Sequence, residues 1–149
     1  MVAQSVIGAA VVVLGALGSG WPASVRLTLG VVGLAVMVAG AVLLVAGIRA
    51  LGSSLTPFPR PSERATFRGG GVYARVRHPI YGGVLLLALG WSLALSPLAL
   101  VPTALLLALL EAKARHEESM LLERYPEYGA YLQQVPRRFV PGLHDGRAA

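Results

Sequence analysis

Two short polar stretches carry most of the side chains of this sequence that are able to do chemistry. The first is GVYARVRHPIYGG, residues 71–83, in which Arg75, Arg77 and His78 directly precede Pro79 and an apolar run. A residue before proline is biased away from the α region, whereas proline itself suits the first position of a helix. The stretch therefore predicts Arg77 and His78 at a helix N-terminus, where unpaired amides and the helix dipole favour an anionic group of a ligand.

The second polar stretch begins at Glu111 and continues an apolar run without a helix breaker. Helical spacings of three, four and seven residues place Glu111, Arg115, Glu118 and Leu122 on one face, and Glu117 points elsewhere. Charges at the end of a membrane span are often a solvated, salt-bridged face, and they are also candidates for a binding site. Both interpretations stay open, although carboxylates close to a bilayer cost more than carboxylates in water.

Metal binding and covalent catalysis find little support. His78, His116, Glu117 and Glu118 show neither HExxH nor His-x-His spacing, so we expect no metal site and interpret His116 as a helix-surface residue. His144 lies in a polar tail and is expected to be inert. Cysteine is absent, which excludes thiol catalysis. The sequence also lacks phosphate-binding loops, nucleophile elbows and dinucleotide fingerprints.

A third group, near the C-terminus, combines aromatic and basic side chains. Tyr125, Tyr128 and Tyr131 are spaced by three residues, and Arg137 and Arg138 follow them. Tyrosine and arginine at a membrane surface usually anchor a protein. They are equally able to close over a bound ligand, and the sequence leaves both interpretations open.

The elements that must position these residues are helices in a membrane. Of the 149 residues, 55% are hydrophobic and 13% are charged, and the mean hydropathy is +0.66, outside the usual range of soluble proteins. Four apolar runs are predicted to be transmembrane helices; they cover residues 2–17, 27–48, 80–95 and 98–110. The predicted fold class is all-α, in a single membrane domain of residues 1–149.

Within that domain we expect two N-terminal spans in residues 1–51, a long cytoplasmic loop in 52–79, a helical hairpin with the site in 80–124, and a tail in 125–149. The last helix is predicted to extend from the membrane into the cytoplasm until Pro126. No Lys or Arg precedes the first apolar run, so we expect a retained helix and not a cleaved signal peptide.

Charge sets the expected orientation and excludes one class of partner. Twelve Arg and one Lys oppose seven acidic residues, which gives a net charge of +6. Arg26 is the only basic residue between the first two runs, whereas residues 49–77 and 113–147 hold six each. This asymmetry follows the positive-inside rule, so both termini and the site are expected in the cytoplasm, and nucleic acid is not an expected partner. Arg far outnumbers Lys, and Ala, Gly and Val are abundant, which is typical of a GC-rich bacterial genome. The expected location is therefore a bacterial cell membrane.

Glycines recur in the second apolar run, at Gly30, Gly33, Gly40 and Gly47. Such spacing lets a neighbouring helix approach closely. Glycine is also common in membrane helices in general, and this second interpretation stays open.

Three motifs, in this order, resemble those of the isoprenylcysteine carboxyl methyltransferase family and its relatives, the phospholipid N-methyltransferases. GVYARVRHPIYGG is similar to the family pattern G-x-Y-x-x-V-R-H-P-x-Y-x-G, and the adjacent Glu117 and Glu118 are similar to its acidic pair. YPEYGAYLQQVPRRFVP is similar to its closing aromatic and V-P-R-x-x-P segment. The resemblance covers about residues 56–143, and the first two helices match only in being helices.

The resemblance implies a small integral-membrane enzyme that uses S-adenosylmethionine and releases S-adenosylhomocysteine. By matching position, it implies that the cofactor is bound by Tyr73, Arg77, His78, Pro79, Tyr81, Gly83, Glu117 and Glu118. Catalysis and acceptor binding are expected to involve Arg115, Glu118, Tyr128, Tyr131, Arg137 and Arg138. The closing segment carries one extra residue, which leaves open whether Arg137 or Arg138 is the matching arginine.

The expected reaction is direct methyl transfer to a lipid or a lipophilic acceptor, for which alignment and exclusion of water provide most of the catalysis. A carboxylate acceptor would be oriented by Arg137 or Arg138, whereas an amine or thiol would need a base such as Glu118 or His78. The sulfonium, ammonium and carboxylate of the cofactor match the Glu pair and the positive helix start. Two alternatives stay open, namely a membrane reductase of the steroid-reductase type that uses NADPH, and a non-enzymatic membrane protein.

Overall fold

The computed structural model describes residues 2–18, 20–52 and 70–142, and within them every regular element is helical. Along this part of the chain the α-helices are α1 (Val2–Leu17), α2 (Ala23–Leu51), α3 (Pro79–Leu95), α4 (Leu100–Arg124) and α5 (Tyr128–Gln134). Two 3₁₀ turns, Gly71–Ala74 and Pro97–Ala99, precede α3 and α4. The all-α prediction is confirmed for the described residues. Predictions about the proline-rich part of the loop and about His144 fall outside them.

The helices that carry the polar stretches begin and end where the sequence predicts. Pro79 is the first residue of α3, because its fixed φ suits that position and it has no N–H to leave unpaired. α4 continues past Leu110 without interruption and ends at Arg124, two residues before Pro126. The second polar stretch is therefore helical throughout.

Among the described residues, two stretches are long and apolar enough to cross a membrane, Ala23–Leu51 with 29 residues and Pro97–Arg124 with 28. Val2–Leu17 and Pro79–Leu95 are apolar but shorter. Their 16 and 17 residues extend for about 25 Å at about 1.5 Å per residue, less than the roughly 30 Å of a bilayer core. Two of the four predicted spans thus have a helix of sufficient length, and the four-span topology stays a prediction.

The chain divides into two compact units, and the division falls inside α2, α3 and α4. The first unit comprises Met1–Val42 and Gly83–Leu110, and the second comprises Leu43–Gly82 and Glu111–Ala149. The first unit has a single charged residue in its sequence, Arg26. All the predicted site residues except Gly83 belong to the second unit.

In the first unit, glycines bring the backbones of α2 and α3 into direct contact. A Cβ atom built on Gly33 would lie 2.5 Å from the carbonyl oxygen of Gly90, and one built on Gly40 would lie 2.9 Å from that of Gly83. Both positions are closed to a larger residue unless the backbone moves. Gly30, by contrast, has open space at its Cβ position. Of the two open interpretations, close approach of a neighbouring helix fits Gly33 and Gly40, and in the second unit Gly47, whose Cβ would lie 2.8 Å from Ile80 Cγ1; it does not fit Gly30.

Hydroxyl groups provide polar contacts inside the first unit. Ser92 Oγ donates to the Ala88 carbonyl at 2.8 Å and lies 2.9 Å from Thr103 Oγ1, which links α3 to α4. Thr103 has one hydroxyl hydrogen, which it shares between Ser92 Oγ and the Ala99 carbonyl, 2.8 Å away. Trp21 Nε1 donates to the Ser92 carbonyl at 3.3 Å. These bonds satisfy polar groups that would otherwise lie unpaired in apolar surroundings.

Candidate active site

The start of α3 is held to the closing VPRRFVP segment by two backbone hydrogen bonds. The Arg77 amide donates to the Arg137 carbonyl at 3.0 Å, and the His78 amide donates to the Arg138 carbonyl at 2.8 Å. Val76, just before them, is fully buried. This pairing fixes the register between two segments that are far apart in the sequence.

Glu118, on α4, is the centre of a buried ion cluster. Arg77 Nε donates to its Oε1 at 2.9 Å, while Arg138 contacts both oxygens, with Nη2 2.9 Å from Oε2 and Nε 3.2 Å from Oε1. His78 Nε2 lies 3.1 Å from Oε1 and donates there, because an ionised carboxylate only accepts. The side chains of Arg77, Arg138 and Glu118 are 6%, 3% and 9% exposed. So deeply buried a carboxylate is tolerated only because cations surround it.

Glu111 extends this cluster along α4. Arg138 Nη1 pairs with Glu111 Oε1, and Arg115 Nη2 lies 2.9 Å from the same oxygen. Burial alone would lower the pKa of Arg138, but its bonds with Glu118 and Glu111 outweigh burial and raise that pKa. Arg115 is 57% exposed, so its pair with Glu111 is a solvated one of small energetic weight. Of the two interpretations of this helix face, the buried site fits Glu118 and the solvated face fits Arg115.

Glu117 lies beside His78 and Tyr81. The Tyr81 hydroxyl donates to Glu117 Oε1 at 2.5 Å, and Glu117 Oε2 is 3.7 Å from His78 Nδ1. The His78 and Tyr81 rings are stacked, with centroids 5.4 Å apart and an interplanar angle of 5°. Helical spacing pointed Glu117 away from Glu118, yet both contact His78, because the two ring nitrogens lie on different edges of the imidazole. The RHPxY segment and the acidic pair are therefore in direct contact.

The tyrosines of the closing segment form a small core in the second unit. It consists of Tyr128, Tyr131 and Val135, with Leu121, Tyr125 and Leu132 packed against them. The Tyr131 hydroxyl donates to the Tyr73 carbonyl at 2.7 Å. Burial raises the pKa of Tyr131 to about 12, so this hydroxyl stays protonated and remains a donor at neutral pH. Packing accounts for these side chains, and contact with an acceptor stays a prediction.

Arg137 and Arg138 are adjacent but have different surroundings. Arg138 is buried and bonded to two carboxylates. Arg137 is partly exposed, and its Nε is buried with no hydrogen-bond partner among the described residues. The sequence left open which arginine serves the site, and this stays open; in the structure Arg138 bonds Glu118, whereas Arg137 Nε has no hydrogen-bond partner among the described residues.

Two further predicted residues make other contacts. Gly83 belongs to the first unit, where its carbonyl lies against Gly40. Arg115 pairs with Glu111 on the exposed side of α4. Within residues 2–18, 20–52 and 70–142, no group of three or more His, Asp or Glu side chains is arranged to hold a metal ion.

Sequence reasoning missed two residues that contact the side chains of this site. The Val135 carbonyl accepts a hydrogen bond from Arg77 Nη1 at 2.7 Å. The Phe139 ring lies 6.3 Å from the His78 ring and is tilted by 59° to it. The backbone carbonyl of Phe139 fills the space that a Cβ atom on Gly82 would need. A main-chain acceptor leaves no signal in a sequence. Phe139 did have a sequence signal, because it lies inside the VPRRFVP motif.

The regular elements of the described residues are all helices, two of which are long and apolar enough to cross a membrane, and one of these two carries a buried ionic cluster on its polar half. The family model for phospholipid methyltransferases matches residues 28–128, which is more than half of the chain. The chain belongs to the phospholipid methyltransferase family, and it is a membrane methyltransferase by that membership. The match begins inside α2, so the second helix resembles the family in more than being a helix. No curated protein matches the sequence.

Proposed function

We propose that this protein is an S-adenosylmethionine-dependent methyltransferase, similar to the isoprenylcysteine carboxyl methyltransferases, that acts on a lipophilic acceptor held in the membrane. One observation carries the proposal: His78 and Tyr81, at the start of α3, contact Glu118 and Glu117 on α4 at 3.1 and 2.5 Å. The motif resemblance expects these two segments to share one cofactor site. Their contact supports that expectation.

The residues present fit the charges of this cofactor. Glu117 and the Tyr81 ring offer a negative carboxylate and an electron-rich face to a sulfonium or ammonium group. The first amides of α3 have no helical carbonyl one turn earlier to bond, and Arg137 Nε has no partner among the described residues, so both suit a carboxylate. When bound, S-adenosylmethionine would supply a methyl group activated by the positive charge on its sulfur.

Glu118 acts in this proposal by positioning its neighbours. Its oxygens accept from Arg77, Arg138 and His78, and such cations make a carboxylate a weak base. Glu118 thereby orients the His78 ring and keeps the closing segment against α3. An amine or thiol acceptor would then pass its proton to Glu117 or His78, and a carboxylate acceptor would be oriented by Arg137.

The distribution of apolar and charged residues along α4 favours a lipophilic acceptor. The helix is apolar from Leu100 to Leu110 and carries the ionic cluster from Glu111 onward, without a break between the two parts. The cluster thus lies in the polar C-terminal half of a candidate membrane span. An acceptor dissolved in lipid and a charged cofactor have to meet at such a point, because neither dissolves well in the medium of the other.

The proposal is tested by ligand-dependent thermal stability of the protein purified in detergent. S-adenosylhomocysteine at 100 times its dissociation constant should add about 2.7 kcal/mol to the folded state. NADPH should have no effect, and stabilisation by NADPH alone would favour the reductase instead. His78→Ala and Glu117→Ala should abolish the shift, whereas His116→Ala and Glu123→Ala, on the exposed surface of α4, should leave it intact.

The acceptor is identified by a second experiment. Protein incubated with methyl-labelled S-adenosylmethionine and a total lipid extract should transfer label into the organic phase. A cationic labelled product then indicates a methylated amine, and among neutral products the release of labelled methanol by mild alkali separates a methyl ester from a thioether. Label that remains entirely in water-soluble products would contradict a membrane-held acceptor.

A further inference from the structure

One cation of the site is not part of the ion cluster. The ammonium group of Lys113, on α4, lies over the ring of Tyr81, 4.9 Å from its centroid. Lys113 forms no ion pair with any carboxylate in the part of the chain that the structure describes. Its ammonium is held there by the ring face, within the distance at which a cation and an aromatic quadrupole attract.

The face of the Tyr81 ring that Lys113 contacts is suited to bind a positive charge. The hydroxyl of Tyr81 donates to Glu117 at 2.5 Å, which increases the electron density of the ring. Glu117 itself is only 19% exposed and adds negative potential beside the ring. Glu118 is bonded to two arginines and a histidine, whereas the Tyr81 ring is contacted by one flexible cation, the ammonium of Lys113.

A cationic ligand bound at this face would have to displace Lys113. Two positive charges a few ångströms apart repel strongly when water is partly excluded. A lysine has four rotatable carbons and a strongly hydrated ammonium, so it leaves for solvent more readily than a bidentate arginine does. The half-buried position of Lys113 is compatible with such a movement.

We propose that Lys113 is a resident cation that occupies the Tyr81 face until the sulfonium of a methyl donor replaces it. The proposal rests on the function proposed above and adds a residue and a selectivity to it. When the acceptor forms its bond to the methyl group, the electron pair of the broken S–CH3 bond stays on sulfur, so a neutral thioether remains and Lys113 returns to the ring. The Tyr81 face therefore has one positive charge over it both before and after methyl transfer. Because only the charged donor has to displace Lys113, this lysine lowers the affinity for the donor and not the affinity for the neutral product.

Binding of the charged and neutral ligands to a lysine variant tests this proposal. Lys113→Met retains the apolar stem and removes the charge. Calorimetric titration in detergent should show S-adenosylmethionine binding about fivefold tighter than to the unmodified protein, which corresponds to about 1 kcal/mol for one cation–π contact. Binding of S-adenosylhomocysteine should change by less than about twofold. Lys113→Arg, which retains a cation, should restore the original ratio of the two affinities.

Arg124→Met is the matched control. Arg124 is also a cation of α4 that lies over a tyrosine ring, 5.8 Å from the centroid of Tyr125, and it is outside the ion cluster. Its removal should change neither affinity. Equal losses of both ligands in Lys113→Met would show that Lys113 contacts a group common to them, such as the carboxylate, and would overturn the proposal, as would no change in either. Failure of both ligands to bind the unmodified protein would instead refute the proposed function.

Discussion

The two units of this chain are stabilised in opposite ways. In the first unit, α2 and α3 meet through glycine backbones, and hydroxyl groups make the polar bonds. In the second unit, a carboxylate that is 9% exposed is surrounded by two arginines and a histidine. The first unit is therefore sensitive to added atoms, and the second is sensitive to removed charges. Substitutions of each kind separate the two mechanisms.

The largest effect is expected from removing the central charge of the second unit. Glu118→Gln leaves Arg77 buried without this carboxylate and leaves Arg138 with one carboxylate, that of Glu111, which should cost about 3–5 kcal/mol of unfolding free energy. Denaturant titration in detergent micelles measures it, with Glu123→Gln as the exposed control on the same helix. A loss no greater than that of the control would mean that the ion cluster does not stabilise this unit.

The next effect tests the first unit by adding one methyl group. In Gly33→Ala the new Cβ would lie 2.5 Å from the Gly90 carbonyl, and backbone must move, at about 1–3 kcal/mol. Gly30→Ala is the control one turn earlier, where the Cβ position is open. Alanine there should be neutral or stabilise the helix by up to about 1 kcal/mol. Equal effects of the two variants would contradict close packing at Gly33.

A smaller effect is expected from a neutral hydrogen bond in the second unit. Tyr131→Phe removes the donor to the Tyr73 carbonyl and should cost about 1 kcal/mol at neutral pH. Because the folded-state pKa of Tyr131 is raised from 10.0 to about 12, the original protein should lose stability as pH rises through that interval. The phenylalanine variant should lose less there. Parallel pH profiles for the two proteins would refute this assignment.

The smallest effect concerns the hydroxyl pair of the first unit. Ser92→Ala removes the contact with Thr103 but leaves Thr103 bonded to the Ala99 carbonyl. Interhelical bonds of this kind contribute about 0.6 kcal/mol in membrane proteins. Unfolding in micelles should resolve a loss of that size. A loss above that of Gly33→Ala would show that hydroxyl bonding, and not glycine packing, stabilises the first unit.

Helix positions were predictable from this sequence, and the directions of several side chains were not. The run of residues 2–17 predicts α1, and Pro79 predicts the start of α3, because hydropathy and proline geometry act locally. Gly30 and Gly33 look equivalent in the sequence, yet only Gly33 meets α3. The difference depends on where a second helix crosses, which no local pattern records.

The contacts of the candidate site also divide into those that the sequence predicts and those that it does not. Motif resemblance predicted that the RHPxY segment and the acidic pair belong together, and the structure brings them into contact. Helical spacing alone would have assigned Glu117 to another site. The bonds from the Arg77 and His78 amides to carbonyls of the closing segment were not predictable, because every residue has such a carbonyl.

Those two backbone bonds also bear on biogenesis. A ribosome releases residues 137 and 138 only after all four longer helices have emerged, and Arg77 and His78 wait for them. The four longer helices can thus form while the ion cluster around Glu118 is still incomplete. A polypeptide truncated before residue 137 would lack both acceptor carbonyls and the Arg138 side chain, so Glu118 would be left without one of its two arginines.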